Sequence, residues 1–257
     1  MLTLNQHHRD ETGLPIDAQI ELRARVDALN TQFRHFGTSY FLEAMLTRGL
    51  FDRVAMVSSF GADSAVLLHL IAHIDRDLPV LFIDTRLLFE ETLAYQQQLA
   101  EHLGLTNVQI VHVSDHTIQA QDPYGALRFS DPDACCNLRK TDVLNTALCG
   151  YDAWITGRKR HQAQSRQGLH YFDADADTGR IKINPLIDWK PARIAAHLER
   201  HNLPRHPLVA KGYPSIGCAP CTSPIQHGED IRAGRWRGTE KTECGLHNAS
   251  LPKGTRT

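Results

Sequence analysis

Apolar runs alternate with stretches of helical spacing from residue 51 onward, and this alternation indicates the fold class. The apolar runs predict strands over 54–57, 79–83, 108–113 and 153–156, and the stretches between them predict helices over 63–74, 89–103 and 131–148. Apolar strands separated by helices favour a mostly parallel sheet covered on both faces. The prediction is therefore an α/β fold, a three-layer Rossmann-like domain.

The segments on either side of this pattern divide the chain into three parts. Helices are predicted over 16–30, 39–50 and 191–201, and a hairpin over 171–184 with its turn at 177–179. After Pro204, Pro and Gly recur and periodicity fades. The predicted parts are an N-terminal helical segment (1–50), a nucleotide-binding α/β domain (51–215) and a C-terminal segment ending in a tail (216–257).

Composition narrows the classes of partner. The 257 residues are 42% hydrophobic, enough for one sizeable core, and the formal net charge of −1 argues against bulk binding to nucleic acid or anionic membrane. No apolar run approaches the roughly 20 residues of a membrane span, and the polar stretch 1–10 lacks a signal-peptide pattern. We expect a reducing cytoplasm, where cysteines indicate metal binding, catalysis or packing. Cys149, in an apolar context, is predicted to be a buried core residue.

A loop suited to anions follows the first predicted strand. Small residues at the start of a helix let backbone N–H groups approach a phosphate-like group closely. The loop has the Ser-x-Gly-x-Asp-Ser form of the PP-loop of adenine nucleotide α-hydrolase-like proteins, and an ordinary strand-to-helix turn is the alternative. The candidate substrate-binding residues here are Ser59, Phe60, Gly61, Asp63 and Ser64.

Two further groups of residues are candidates for binding a nucleotide. Asp84 and Thr85 follow the second predicted strand, where ligands of open α/β sheets bind, although Asp84 is equally suited to a helix-leading turn. Basic residues cluster in this otherwise neutral chain, which suits a small anionic ligand; solvated surface charge is the alternative. These clusters are Arg158, Lys159, Arg160 and Arg166, then Arg232, Arg235 and Arg237.

Two cysteine pairs could supply four soft ligands. Cys135 and Cys136 are adjacent in a predicted helix, and Cys218 and Cys221 form a Cys-x-x-Cys hook. Spacing leaves open an iron–sulfur cluster, a zinc site, a redox-active Cys218–Cys221 disulfide, or unrelated buried cysteines.

Cys244 has no partner at metal-ligand spacing. Lys241 and His247 are near it in sequence and could favour the thiolate, the nucleophilic form. The alternative is an exposed cysteine in the tail.

Taken together, these motifs resemble the assimilatory sulfonucleotide reductases, in the iron–sulfur branch that reduces adenosine 5′-phosphosulfate (APS). The resemblance covers about 54–247. It rests on Ser59–Ser64, Asp84-Thr85, Glu91-Thr92, Cys135–Lys140, Trp154–Arg158, Ile183–Leu186, Asp188-Trp189, Gly217–Cys221, Arg232–Trp236 and Lys241–His247. The chain departs from the family at Arg86-Leu87, where Gly followed by Arg or Lys is frequent, and the stretch between Trp236 and Cys244 is short.

The resemblance implies a PP-loop fold and a two-stage reaction in assimilatory sulfate reduction and cysteine biosynthesis. A [4Fe-4S] cluster would be held by Cys135, Cys136, Cys218 and Cys221. Cys244 would attack the sulfur of APS, releasing AMP and leaving an S-sulfocysteine, and thioredoxin or glutaredoxin would then release sulfite. The remaining candidate catalytic residues are Lys140, which would link cluster and substrate electrostatically, Arg232, Arg235 and His247, with Arg158 as a further contact to the sulfate oxygens.

Three other functions fit parts of the sequence. A cluster-containing reductase of 3′-phosphoadenosine 5′-phosphosulfate (PAPS) would share nearly every motif. A PP-loop enzyme for ATP-dependent thiolation would share Ser59–Ser64 and cysteines, and a non-enzymatic zinc-binding module would share the cysteines alone. We expect no nucleic-acid or membrane partner; the sequence leaves homo-oligomerisation open.

Overall fold

The computed structural model of the chain describes residues 14–175, 177–239, 241, 243 and 245. In this part of the chain the strands are β1 (Val54–Ser58), β2 (Val80–Ile83), β3 (Val108–Val111), β4 (Ala153–Ile155), β5 (Phe172–Asp175) and β6 (Arg180–Ile183). They form one sheet in the order β3-β2-β1-β4-β6-β5. All neighbouring pairs are parallel except β5 and β6, which form the predicted hairpin.

The helices cover both faces of this sheet. Within the described residues they are α1 (Ile16–Phe33), α2 (Thr38–Thr47), α3 (Ser64–Ala72), α4 (Glu90–Leu103), α5 (Asp115–Gln121), α6 (Leu127–Ser130), α7 (Pro132–Cys136), α8 (Asp142–Ala147) and α9 (Pro191–Arg200). A π-helical turn (Asn137–Thr141) joins α7 to α8. None of the described helices has the length and hydropathy of a membrane span.

The alternation of side chains along the parallel strands divides the core into two layers. Met56 of β1 packs in a large cluster with residues of α1 to α4 and α9, whereas its neighbour Ala55 packs in a smaller cluster with Leu144 and Leu148 beside α8. Side chains of successive strand residues point to opposite faces, so both faces need a cover. The three-layer α/β prediction is confirmed.

Several predicted elements differ in detail. The helix predicted over 131–148 is divided by the π-helical turn, and the strand predicted to reach residue 113 ends at Val111. The short helices α5 and α6 were not predicted, because neither contains a buried residue and neither has an apolar face to reveal it. A 3₁₀ turn, Gln164–Arg166, lies between β4 and β5. Residues 1–13 lie outside the described part of the chain.

The prediction for Cys149 was wrong: its side chain is exposed. Cys149 follows the end of α8, and Gly150 has a φ of +84°, so the chain turns there and the thiol does not continue the buried face of the helix. The division of the chain into three parts stays a prediction. Residues of α1 and α2 share one core cluster with the sheet.

Two His pairs, each spaced by four residues, meet where α3 packs against α9. His197 Nε2 lies 3.1 Å from His69 Nδ1, and the His69 and His201 rings are 4.5 Å apart. The pKa of His69 is lowered to about 4 by burial and then by His73, His201, His197 and His102. Burial lowers the pKa of His197 to about 4 as well, and His201, Arg200, Arg193 and His73 add to the shift. His69 and His197 are therefore neutral near pH 7.

This cluster should make the protein less stable in mild acid. An unfolded His has a pKa of about 6.5, so the unfolded state binds protons first and stability falls as pH drops from 6.5 toward 4. We expect a loss of about 2 kcal/mol in the free energy of unfolding between pH 7 and pH 5, reduced from the full shift because the cluster is partly solvated. Urea denaturation at the two pH values measures it. The same pH dependence in a His69→Gln/His197→Gln variant would contradict this origin.

Candidate active site

A cavity of about 240 Å³ opens at the carboxyl ends of β1, β2 and β4. Ser58 at the end of β1, Thr85 after β2 and Thr156 after β4 all line it. The strand order reverses here, since β2 lies on one side of β1 and β4 lies on the other. Ligands of open α/β sheets bind at such a switch point.

The predicted anion-binding loop forms one wall of the cavity. Ser59, Gly61, Asp63 and Ser64 line it, as expected. The side chain of Phe60 is instead fully buried and packs edge-on against Phe82, with ring centroids 5.3 Å apart. Phe60 also has a positive φ of 45°, a conformation that bulky residues rarely adopt. Its side chain therefore anchors the loop in the core and is not among those lining the cavity.

Asp63 pairs with Lys159, which the sequence analysis noted only as part of a basic cluster. Its carboxylate lies 3.0 Å from Lys159 Nζ and makes no capping hydrogen bond to α3. The Lys159 side chain is buried, and burial lowers its pKa while Asp63 opposes the shift. The pair joins the loop after β1 to the segment after β4, so both walls of the cavity are held together.

The two predicted residues after β2 have different surroundings. Thr85 is buried, lines the cavity, and places its Oγ1 3.2 Å from Cys218 Sγ. The Asp84 carboxylate accepts the backbone N–H of Arg86 at 2.8 Å and is not among the described cavity-lining residues. Arg86 has a φ of 60°, so this hydrogen bond supports a strained turn. Asp84 thus has the turn-forming role that was the alternative to nucleoside binding.

Arg158 lines the cavity, but its charge is already paired. Its Nη2 lies 3.1 Å from Asp173 Oδ2, and its Nε donates to Asn184 Oδ1 at 3.1 Å. Burial lowers the pKa of Arg158, and Asp173 partly offsets that effect. A guanidinium that is paired with a carboxylate outside the cavity attracts an anionic ligand less strongly than an unpaired one does. The contact of Arg158 with an anion stays a prediction.

The remaining basic side chains make the cavity cationic. Six basic residues and two acidic ones line it, an excess of four positive charges. The Nε of Arg235 is buried and has no hydrogen-bond partner among the described atoms. An orphaned charged donor in a cationic cavity favours an anionic ligand. The basic residues are Lys140, Arg158, Lys159, Arg166, Arg232 and Arg235, and the acidic ones are Asp63 and Glu243.

Glu243 joins two of these arginines. Its Oε1 lies 2.7 Å from Arg166 Nε, and its Oε2 lies 2.9 Å from Arg166 Nη2 and 3.1 Å from Arg232 Nη2. Sequence reasoning noted Arg166 as part of a basic cluster and Glu243 as part of a motif but assigned neither to the site. Their separation in sequence left no local signal for the pairing.

The four cysteines predicted to bind a cluster lie near one another. Cys135, Cys136 and Cys218 are buried and Cys221 is half-buried. Burial raises the pKa of the Cys135 thiol to about 11, and the other three thiols contribute through their charges. Cys218 and Cys221 form no disulfide with each other. Among the described residues, no three His, Cys, Asp or Glu side chains are arranged to hold a single metal ion.

Backbone hydrogen bonds attach the Cys-x-x-Cys segment to the cavity. Ala219 N donates to Leu87 O at 2.8 Å, and Trp236 N donates to Cys221 O at 3.0 Å. Burial and then Cys218 raise the pKa of Cys221, whereas the charge of Lys140 lowers it. Lys140 thus influences the Cys221 thiol while it lines the cavity, and its role in linking a cluster to the substrate stays a prediction.

Cys244 and His247 lie outside the described residues, but both chain neighbours of Cys244 are described. Glu243 is held by the arginines, and Gly245 lies against the π-helical turn. A Cβ on Gly245 would meet Thr141 Oγ1 at 3.1 Å and Asn137 Oδ1 at 3.2 Å. The close approach of this backbone to the turn that carries Lys140 therefore favours glycine.

Known proteins share this fold. The chain resembles a phosphoadenylyl-sulfate reductase of Candida auris, solved as a phosphate complex, with a TM-score of 0.64 and 23% identity over 85% of this chain and 97% of that one. It also resembles an FMN adenylyltransferase of Candida glabrata, with a TM-score of 0.54 and 18% identity over 88% of this chain and 86% of that one. These likenesses support the fold alone.

Sequence comparison identifies the family. The profile described as "Phosphoadenosine phosphosulfate reductase domain" matches residues 53–224. The chain is 47% identical to the adenosine 5'-phosphosulfate reductase of Chelativorans sp., over 92% of this chain and 95% of that one. It is 46% identical to the protein of that name from Mesorhizobium japonicum, over 91% and 92% of the two chains. The chain therefore belongs to the sulfonucleotide reductase family, alongside proteins named adenosine 5'-phosphosulfate reductases.

Proposed function

We propose that this protein reduces APS to sulfite and AMP, with a thioredoxin or glutaredoxin dithiol as the source of electrons. The relatives' names support the substrate, and the cationic cavity beside the loop after β1 suits a nucleotide with an anionic sulfate. The main support for the proposal comes from the positions of the two residues next to Cys244 in the chain. Of the two chain neighbours of Cys244, Glu243 lines that cavity and Gly245 lies against the turn that contains Lys140.

The reaction would proceed in two stages, each balanced in electrons. The Cys244 thiolate attacks the sulfur of APS, a sulfur–sulfur bond forms, and the bond from that sulfur to the phosphate oxygen breaks. AMP leaves with the electron pair, and Cys244 becomes an S-sulfocysteine. The reduced dithiol then releases sulfite, restores Cys244 and becomes a disulfide. A reducing cytoplasm would keep Cys244 and the reductant in the thiol form.

The basic residues of the cavity have a defined task in the first stage. Negative charge increases on the sulfate oxygens and on the leaving phosphate as Cys244 attacks. Fixed donors in a partly buried site stabilise such charge better than water does, because they need no reorganisation. Arg235, whose buried Nε lacks a described partner, and Lys140 are the side chains that we assign to this task.

The donor set at the cavity wall fits an iron–sulfur cluster. Four thiols from two segments lie close enough for their charges to influence one another, and four cysteines are the usual ligands of a [4Fe-4S] cluster. We propose that Cys135, Cys136, Cys218 and Cys221 hold it. When bound, it would alter the local electrostatics around Lys140 and would fix the Cys-x-x-Cys segment, because metal binding is coupled to local folding.

Parallel assays with APS and PAPS test the substrate assignment. We expect kcat/KM for APS to exceed that for PAPS at least a hundredfold, which needs only about 2.7 kcal/mol of differential transition-state binding. The protein should be purified anaerobically and assayed for sulfite with each nucleotide and reduced thioredoxin. Comparable values for the two nucleotides would favour the PAPS alternative. ATP hydrolysis without sulfite release would favour the thiolation enzyme instead.

A further inference from the structure

A buried histidine holds the hydroxyl group of a threonine that lines the cavity. His206 precedes a 3₁₀ turn (Pro207–Lys211), and its Nε2 lies 3.0 Å from Oγ1 of Thr92 in the first turn of α4. Both residues are 1% exposed, and 114 residues separate them in sequence. Thr92 lines the cavity, whereas His206 is not among its described lining residues. The pair therefore joins the wall of the cavity to a segment behind it.

The backbone fixes the direction of this hydrogen bond. Leu208 N donates to His206 Nδ1 at 3.2 Å, so that nitrogen holds a lone pair and no proton. Burial lowers the pKa of His206 to about 4, against an opposing effect of Glu91, and the ring is neutral near pH 7. A neutral imidazole carries its single proton on the other nitrogen. His206 Nε2–H is consequently the donor, and Thr92 Oγ1 is the acceptor.

This direction leaves the hydroxyl proton of Thr92 available. A hydroxyl has one O–H to donate, and a nitrogen that already carries a proton cannot accept it. Threonine in a helix commonly donates to the carbonyl of residue i−4, as Thr146 does to Asp142 O at 2.9 Å. Thr92 makes no such bond within the described part of the chain, where its side-chain partner is His206. A buried donor without an acceptor, in the wall of a cavity, indicates a ligand that supplies one.

We propose that Thr92 donates its hydroxyl proton to an uncharged oxygen or nitrogen of the nucleoside, and that His206 is the positioning residue that aims it. The chain after β2 contributes Thr85, Leu88 and Thr92 to the wall, all of them uncharged, and the basic lining residues come from other segments. A neutral wall suits the nucleoside, whereas the basic side chains attract phosphate and sulfate. The inference deepens the proposed function and rests on it for the identity of the nucleotide.

Four variants separate the hydroxyl, its positioning and its surroundings. Thr92→Val replaces the hydroxyl with a methyl group, and Thr92→Ser keeps it. His206→Asn keeps the cap on Leu208, because an Asn side chain accepts the backbone N–H two residues later, but it is too short to reach Thr92. Tyr95→Phe is the matched control. The Tyr95 ring packs 4.8 Å from that of His206, its hydroxyl donates to Pro204 O at 2.8 Å, and it is not among the described cavity-lining residues.

Calorimetric titration of the anaerobically purified holoprotein with AMP measures binding without turnover. We expect Thr92→Val to weaken AMP binding about tenfold, or about 1.4 kcal/mol, because one hydrogen bond to the nucleotide is lost. His206→Asn should weaken it about fivefold, since the released hydroxyl turns part of the time to the carbonyl of Leu88. Thr92→Ser and Tyr95→Phe should bind AMP as wild type does.

Two further measurements distinguish positioning from a merely structural role. The double variant Thr92→Val/His206→Asn should bind AMP no more weakly than Thr92→Val, because His206 acts only through the hydroxyl. In turnover assays, Thr92→Val should raise KM for APS about tenfold and keep kcat within about twofold of wild type, because a contact made equally in the ground state and the transition state changes KM alone.

The inference is overturned by wild-type AMP affinity in Thr92→Val, by additive losses in the double variant, or by an equal loss of affinity in Tyr95→Phe. Thermal denaturation supplies the remaining control: His206→Asn and Tyr95→Phe should both lower Tm, and only His206→Asn should change AMP affinity. If wild type binds no AMP, the proposed function fails together with this inference. If wild type binds AMP and Thr92→Val binds it equally well, the inference alone fails.

Discussion

Cys244→Ser is expected to lower the rate of sulfite release from APS by at least about a thousandfold, or about 4 kcal/mol. A serine hydroxyl is hardly ionised at neutral pH, whereas a thiolate is a strong nucleophile even as a minor species. An O-sulfonated serine also lacks the sulfur that a reducing thiol would attack. Iron content and AMP binding should stay at the wild-type level, because Cys244 belongs to neither cysteine pair.

Detection of the covalent intermediate would test directly whether Cys244 is the nucleophile. Wild-type protein mixed with APS in the absence of thioredoxin should gain the mass of one SO₃ group, and peptide mapping should locate it on Cys244. Cys149→Ser is the matched control, since Cys149 is a free and exposed thiol. It should form the adduct and turn over normally. An adduct on another cysteine, or turnover by Cys244→Ser, would show that the nucleophile is misassigned.

Cys136→Ser and Cys221→Ser should each abolish the iron centre and lower sulfite release at least a hundredfold. A hydroxyl is a poor ligand for iron in a sulfide cluster, and the cluster needs all four thiolates. We expect the iron content to fall from about four atoms per chain to near zero, together with loss of the brown colour. The Cys-x-x-Cys segment should also become more sensitive to protease, because ligand binding and local folding are coupled.

Cys149→Ser also controls this experiment, since it removes a thiol without touching either pair. Its iron content and colour should equal those of wild type. One zinc per wild-type chain, with no iron or sulfide after anaerobic purification, would contradict the cluster. Full iron content in either variant would remove that cysteine from the ligand set.

Sequence reasoning succeeded where the signal is local. The apolar run of β1 followed by Ser59–Ser64 predicted both a strand and a loop at its carboxyl end, and both were found beside the cavity. Because the neighbouring strands are parallel to β1, their carboxyl ends lie at the same edge of the sheet. The order of the strands brought Thr85 and Cys218 within 3.2 Å, although 133 residues separate them in sequence.

It failed where a residue's role depends on a distant partner. Arg158 lies in a basic cluster typical of anion sites, and its ion pair with Asp173 of the β5–β6 hairpin was not predicted. Arg166 meets Glu243 across 77 residues of sequence. No periodicity or spacing encodes such pairs, because they depend on how loops from different strands approach one another.

The π-helical turn Asn137–Thr141 makes the number of residues between α7 and α8 important for the orientation of both helices. A π turn contains one residue more than an α turn, and each residue rotates an α-helix by about 100°. Because of the extra residue, Cys135 and Cys136 face the same region of the protein, while Leu144 and Leu148 stay in the core. Deleting one residue between them would restore a regular helix and turn one of these faces away from its contacts. Protein engineers should therefore keep the length of this segment fixed.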